Sequence, residues 1–185
     1  MLNTAEGVGA GQDIRHRSGI KIVPYVELNG RRTLTDEMVA AIWEQMLADG
    51  TANVVFGGSV KDKEQFVTMF KNHNIFPILI GVGEVPAGVA WLSDVGKNYA
   101  HGHFCLFGNS WGRALPVGKA ILDYWFSMHK DGLPVLDVII GKVPATNKLA
   151  VAFIKKLGFE ILGTIPLIGG DMGLVISYIT RQKNG

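Results

Sequence analysis

The sequence predicts an α/β domain: a central mixed, mostly antiparallel sheet flanked by about four helices, three layers deep as α/β/α. Three observations carry this. Stretches with the apolar period of a strand alternate with stretches of helical period in the order β-α-α-β-β-β-α-β-α-β-β. Glycine-bearing turns link three consecutive strand stretches in the middle, so these pair antiparallel. A helix then joins the third of them to the next strand, which makes those two parallel or splayed neighbours.

Residues 1–19 are rich in glycine and polar residues, show no periodicity, and are expected to form a flexible N-terminal arm ahead of one domain at 20–185. Their Gly7-Val8-Gly9-Ala10-Gly11 stretch is no dinucleotide fingerprint, because no strand precedes it and no helix follows. Residues 20–28 read as a strand ending at Asn29-Gly30. Thr35 is the expected N-cap of a first helix, with Asp36 and Glu37 in its positive first turn. Met38, Val39, Ile42, Trp43, Met46 and Leu47 make one apolar face, and Asp49-Gly50 ends the helix. Ser59 is expected to cap a second helix at 60–71, with Phe66, Val67 and Phe70 inward.

Strands follow at 75–82, 88–92 and 100–107, then a polar loop at 108–112 and a third helix at about 113–129. Pro116 fits only in the first turn of that helix. The apolar stretch 136–143 reads as a strand buried on both faces and stopped by Pro144. Thr146 or Asn147 caps a fourth helix that turns Leu149, Ala150, Phe153, Ile154 and Leu157 inward. Gly158 ends it in the left-handed position, followed by apolar Phe159. Strands at 159–166 and 174–180 finish the chain, separated by a glycine-rich loop at 167–173.

Composition narrows the function classes. The chain has 185 residues, 18 Lys+Arg against 16 Asp+Glu, 48% hydrophobic and 18% charged residues. That is too apolar for a disordered chain and too evenly charged for a duplex nucleic-acid binder. A single cysteine, Cys105, forms no internal disulfide and no structural zinc site, which suits a reducing, cytoplasmic setting. The longest apolar run, 75–82, has eight residues and includes a proline. A membrane-spanning helix needs about 20.

One constellation carries chemistry. A strand runs through Asn109-Ser110-Trp111-Gly112-Arg113-Ala114 directly into a helix. Unpaired amides at such a helix mouth converge on one spot, and the helix dipole makes that spot attract anions. Gly112 and Ala114 leave room for a bulky anion, and Arg113 and Lys119 add positive charge. A phosphate loop of the nucleotide-binding type does not fit here, because five residues separate Gly112 from Gly118 and an alanine follows Lys119. Downstream, Val143-Pro144-Ala145-Thr146-Asn147 leads into a short helix closing on Lys156-Leu157-Gly158-Phe159.

With these two segments the chain resembles the GNAT acetyltransferase superfamily, whose acyl-CoA N-acyltransferase fold matches the element order. The family's turn carries Gln or Arg, two free positions, glycine, one free position, then glycine or alanine. Gly112 and Ala114 fall on the small positions and Asn109 on the first. The stretch V-P-A-T-N-K-L-A-V-A-F-I-K-K-L-G-F is similar to the family's later segment, with Asn147, Ala150, Lys156, Leu157, Gly158 and Phe159 in step. Trp111-Gly112 and Asp123-Tyr124-Trp125-Phe126 look like the branch that acetylates ribosomal-protein N-termini, and also like small phage-encoded members.

The resemblance implies acetyl-CoA (coenzyme A) as donor and an amine of a small molecule, peptide or protein as acceptor. It implies a pyrophosphate held by the amides of Trp111 to Ala114, with Asn109, Ser110 and Asn147 beside the cofactor. It implies pantetheine between two splayed strands, pairing with backbone at Cys105, Leu106 and Phe107. Where many members carry a tyrosine that protonates the leaving thiolate, this chain has Ile154, beside Phe153. The expected partners are acetyl-CoA, the amine and, at most, a second copy in a homodimer, with no nucleic acid and no membrane.

Amine attack on a thioester is helped mainly by positioning and oxyanion stabilisation, and a base has only one proton to take. His101 and His103 lie two apart on the strand leading to the loop, share one face, and are the candidate bases. Glu84 and Asp94 are less well placed. A changed Asn109 and a missing tyrosine also fit the alternative of a non-catalytic binding or structural module of the same fold.

Overall fold

The computed structural model describes residues 14–15, 19–166 and 173–181. Its main sheet has eight strands: β1 (Ile14–Arg15), β2 (Ile20–Pro24), β5 (Phe76–Val82), β6 (Val85–Ser93), β7 (Tyr99–Leu106), β10 (Val138–Pro144), β11 (Glu160–Pro166) and β12 (Gly173–Thr180). Two small hairpins supply the remaining numbers, β3 (Glu27–Leu28) with β4 (Arg31–Arg32), and β8 (His129–Lys130) with β9 (Leu133–Pro134). The order across the main sheet is β1-β2-β5-β6-β7-β10-β12-β11. Every pairing is antiparallel except β7 with β10. The expected mixed, mostly antiparallel sheet is therefore present, and its parallel pair is the one closed by the crossover helix.

Five α-helices flank it: α1 (Asp36–Ala48), α2 (Thr51–Phe56), α3 (Lys63–Phe70), α4 (Ala114–Phe126) and α5 (Lys148–Leu157). They build two cores, one on each face. Alternate residues of β6 divide between them: Val89 and Trp91 pack with Val39, Trp43, Met46, Phe66 and Phe70 from α1 and α3, while Ala90 and Leu92 pack with Ile121 and Trp125 from α4. The period-two alternation of a strand covered on both faces by helices explains the split.

Local signals set the helix ends. Thr35 Oγ1 accepts from the Met38 amide at 3.3 Å, and Asn147 Oδ1 from the Ala150 amide at 3.0 Å. Gly158 takes φ 96°, and the Phe159 amide reaches back to the Ile154 carbonyl at 3.0 Å. Pro116 lies in the first turn of α4, where a missing amide costs nothing.

Several expectations are corrected. Ile14–Arg15, inside the expected arm, pairs with β2, which would otherwise be a bare edge. Residues 1–13, 16–18, 167–172 and 182–185 lie outside the described residues. Asp49-Gly50 does end α1, but the chain re-enters helix at once as α2. Asp62, not Ser59, caps α3, its Oδ1 accepting from the Gln65 amide at 2.8 Å, while Ser59 Oγ donates to the Phe56 carbonyl. Met38 and Leu47 are exposed, and Leu149 is 84% exposed. Periodicity identifies a face, but not how far along the helix a neighbour covers it. The polar loop before α4 is a 3-10 helix, Gly108–Arg113. No described helix is long and apolar enough to cross a membrane, and among the described residues no group of three or more His, Cys, Asp or Glu could hold a metal ion.

Candidate active site

The site is a gap in the sheet. β7 and β10 pair over three positions only, Val138↔Tyr99, Ile139↔Ala100 and Ile140↔His101. Beyond this rung each strand stays bonded to its outer neighbour, β7 to β6 as far as Leu106↔Gly88 and β10 to β12 as far as Pro144↔Leu174. The two strands therefore diverge without either losing its anchor, and a wedge opens with His101 at its apex. From His101 to Leu106 the wall of the wedge is about 17 Å long, at roughly 3.4 Å per residue.

The register says which backbone groups face this wedge. The Phe107 amide donates to the Ala87 carbonyl at 2.9 Å. In an antiparallel ladder such pairs alternate, so Cys105 and His103 also spend their backbone on β6, while Leu106 and Phe104 turn theirs toward β10. On the other wall, Arg181 donates to the Asp137 carbonyl and Ala145 to the Gly173 carbonyl, both at 2.8 Å. By the same alternation Lys142 and Pro144 face the wedge. Proline lacks an amide, and here it lies on the side where β10 has no partner to lose.

This corrects the expected pairing at Cys105 and Phe107. Both are buried and turned to β6, and only Leu106 of the three faces the wedge; its carbonyl accepts from Trp111 Nε1 at 3.2 Å. Phe104, which sequence reasoning missed, is the better placed backbone. The signal that would have found it is the alternation itself. Burial pushes the Cys105 thiol up to about 11, so it remains a thiol in the core.

Gly102 stands one residue past the apex because nothing larger fits. A Cβ there would lie 2.7 Å from Ile139 Cγ2 and 3.2 Å from Trp125 Cζ3. Trp125 is fully buried, and Phe104 packs between it and Phe153, with ring centroids 5.3 and 6.0 Å away. Ile154 is buried beside Phe153, so neither residue brings a hydroxyl to the wedge.

At the mouth of α4 the 3-10 helix spends amides that were expected to be unpaired. The Ser110 amide donates to the Phe107 carbonyl at 2.9 Å and the Ala114 amide to the Trp111 carbonyl. These are the i to i+3 bonds of a tighter helix. Ser110 Oγ is buried on the Ala87 and Phe107 carbonyls at 2.7 and 2.8 Å, and Asn109 Nδ2 donates to the Pro86 carbonyl at 3.0 Å. Asp49 Oδ2 accepts from the Gly108 amide at 2.9 Å, tying the loop to the end of α1. These side chains build the loop. What remains open is Gly112, where a Cβ would meet no atom within 4 Å, beside exposed Arg113 and Lys119 and a Trp111 indole that is 62% exposed. The indole is tied by its Nε1 to the strand end at the Leu106 carbonyl. Asn147 caps α5 with its carbonyl oxygen, which leaves its amide group for other partners.

The two histidines project to the α1–α3 face but differ in surroundings. His103 stacks on Trp91 with centroids 5.0 Å apart and planes 5° from parallel, and Trp91 stacks in turn on Phe56 at 5.6 Å. His103 Nε2 meets Ser93 Oγ at 2.9 Å, and burial lowers its pKa from 6.5 to about 4. His101 Nδ1 meets Asp94 Oδ2 at 2.7 Å and Lys142 Nζ at 3.3 Å. Asp94, expected to be less well placed than the histidines, is thus a direct partner of His101. The Ser93↔His101 register brings it there, at a strand end where Asp94 takes φ 48°. Glu84 lies elsewhere, paired with Lys21 at 2.7 Å.

No protein-family model matches the sequence, and no curated protein matches it. Solved structures do. The ribosomal L7/L12 alpha-N-protein acetyltransferase in complex with coenzyme A superposes with a TM-score of 0.68 at 11% identity, covering 91% of this chain and 97% of that one. The Vibrio cholerae spermidine N-acetyltransferase in complex with CoA and spermine gives 0.68 at 14% identity, covering 88% and 96%. The Campylobacter jejuni N-acetyltransferase PseH gives 0.59 at 15%, covering 88% and 99%. At these identities the likeness is one of fold, and the fold is that of the GNAT N-acetyltransferases.

Proposed function

We propose that this chain is an N-acetyltransferase, moving an acetyl group from acetyl-CoA to an amine of a small molecule, peptide or protein. The observation that carries the reading is the wedge. Two anchored strands part after Ile140↔His101 and present the backbone of Phe104 and Lys142 to a gap that a chain bearing amides can bridge. The gap runs from the 3-10 helix, where Gly112 is open and Arg113 and Lys119 are exposed, to the two histidines.

In this reading the cofactor's diphosphate rests over Gly112, where no side chain stands in the way, with Arg113 and Lys119 as counter-charges, rather than on the Ser110 and Ala114 amides. Its pantetheine arm pairs with Phe104 and Lys142. The thioester then reaches the apex, where an amine arriving over the α1–α3 face meets a base on β7. The phosphate grip is weaker than a full set of free amides would give. The wedge supplies directional backbone partners for the arm at Phe104 and Lys142.

A second reading, a non-catalytic binding or structural module of the same fold, is favoured by the amides spent in the 3-10 helix and by Ile154 in place of a hydroxyl residue. Calorimetric titration with acetyl-CoA, followed by thioester-consumption assays over a panel of amines, separates the two. Binding with turnover supports acetyl transfer. Binding without turnover across the panel supports the module. No binding at high micromolar concentration removes the acetyl-transfer reading.

A further inference from the structure

We propose that Asp94 is a positioning residue for His101, holding the imidazole in the tautomer that leaves Nε2 bare to accept the proton of the attacking amine. This rests on the acetyl-transfer reading and assigns its base.

The geometry settles the tautomer. A carboxylate can only accept, so at 2.7 Å from Asp94 Oδ2 the His101 Nδ1 must carry the hydrogen. In the neutral ring, the form that serves as a base, the other nitrogen is then a bare acceptor. Lys142 Nζ, at 3.3 Å, competes for the same Nδ1 and would favour the opposite tautomer, because an ammonium can only donate. The shorter contact decides. Asp94 sits at a backbone φ of 48°, a region that aspartate enters more readily than most residues, and this turns its carboxylate back toward β7. The ring is mostly enclosed, with 16% of its side chain exposed against 70% for Asp94, so the carboxylate approaches from the rim and His101 stands at the apex of the wedge.

His103 is set up for another task. Its Nε2 is engaged by Ser93 and its ring face by Trp91, so it forms a neutral wall beside the reacting atoms. The groups around His101 are thus Asp94 and Ser93 at the end of β6, His103 on its own strand and Lys142 across the wedge on β10. In the step assigned, His101 Nε2 takes the proton that the amine nitrogen gives up as its C–N bond to the acetyl carbon forms. The C–S bond breaks, and the sulfur leaves as thiolate and is protonated by water.

The test uses the full chain and has a readout that does not depend on turnover. Long-range ¹⁵N–¹H NMR of the His101 ring is expected to show Nδ1–H in the wild type, Nε2–H in Asp94→Asn, where Lys142 wins the contact, and Nδ1–H again in Asp94→Glu. Thioester-consumption kinetics are expected to show kcat down about a hundredfold in Asp94→Asn, the lower end of what a proton acceptor contributes, with KM for acetyl-CoA unchanged and partial rescue in Asp94→Glu. A wild-type ring protonated on Nε2, or an Asp94→Asn variant turning over at the wild-type rate, overturns the proposal. A wild type with the expected tautomer and no turnover on any amine overturns the acetyl-transfer reading instead.

Discussion

Trp91 and His103 lie directly opposite each other on β6 and β7 and stack with planes 5° from parallel. The pairing puts an imidazole into an aromatic column with Phe56, where burial disfavours its charged form. The column forms one wall of the candidate acceptor side and makes two neighbouring histidines chemically unlike.

The stack gives a pH dependence with a definite sign. His103 titrates near 6.5 when unfolded and near 4 when folded, so between these values the unfolded chain binds the extra proton. The contribution is fully present above pH 6.5 and is lost as pH falls toward 4. His103→Phe, which keeps a stacking ring and removes the titration, should flatten the stability profile across that window. Urea denaturation midpoints at pH 7, 6, 5 and 4 measure it. Equal slopes for the two proteins would refute the assignment.

Gly102 is the position least able to accept a side chain. Gly102→Ala pushes a methyl to 2.7 Å from Ile139 Cγ2 and 3.2 Å from Trp125 Cζ3, under the apex of the wedge. Overpacking of this kind costs roughly 1–3 kcal/mol. Chemical denaturation should show that loss, and a neutral result would mean that the crossing of β7 over α4 is looser than described.

Gly112 predicts the opposite pattern. Its φ is not in the left-handed range, and an added Cβ meets nothing. Gly112→Ala should therefore leave the unfolding midpoint unchanged or raise it slightly. If ligand phosphate lies against this backbone, coenzyme A affinity should fall by about tenfold, or 1.4 kcal/mol. Titration calorimetry on the folded variant reads it, and unchanged affinity would move the phosphate site elsewhere.

Near-neighbour signals were readable without the structure. The caps at Thr35 and Asn147, the left-handed Gly158 and the β7–α4–β10 crossover all depend on residues close in sequence, or on the rule that a helix between adjacent strands makes them parallel. Features set by contacts distant in sequence were not. The Asp94–His101 pair follows from the β6–β7 register, and the Gly108 amide is claimed by Asp49 from another helix. The 3-10 winding of Gly108–Arg113 is anchored by Ser110 Oγ on the Ala87 carbonyl, a contact no local pattern announces. Leu149 is exposed for the same reason: apolar spacing tells which residues share a face and leaves open what covers that face.

A crystal structure of the chain with coenzyme A tests the central claim most directly. The account predicts pantetheine amides bonded to the backbone of Phe104 and Lys142, the diphosphate against Gly112 and Arg113, and the thiol ending at His101. Coenzyme A bound outside the β7–β10 gap, or a gap closed by continued pairing of the two strands, would contradict it.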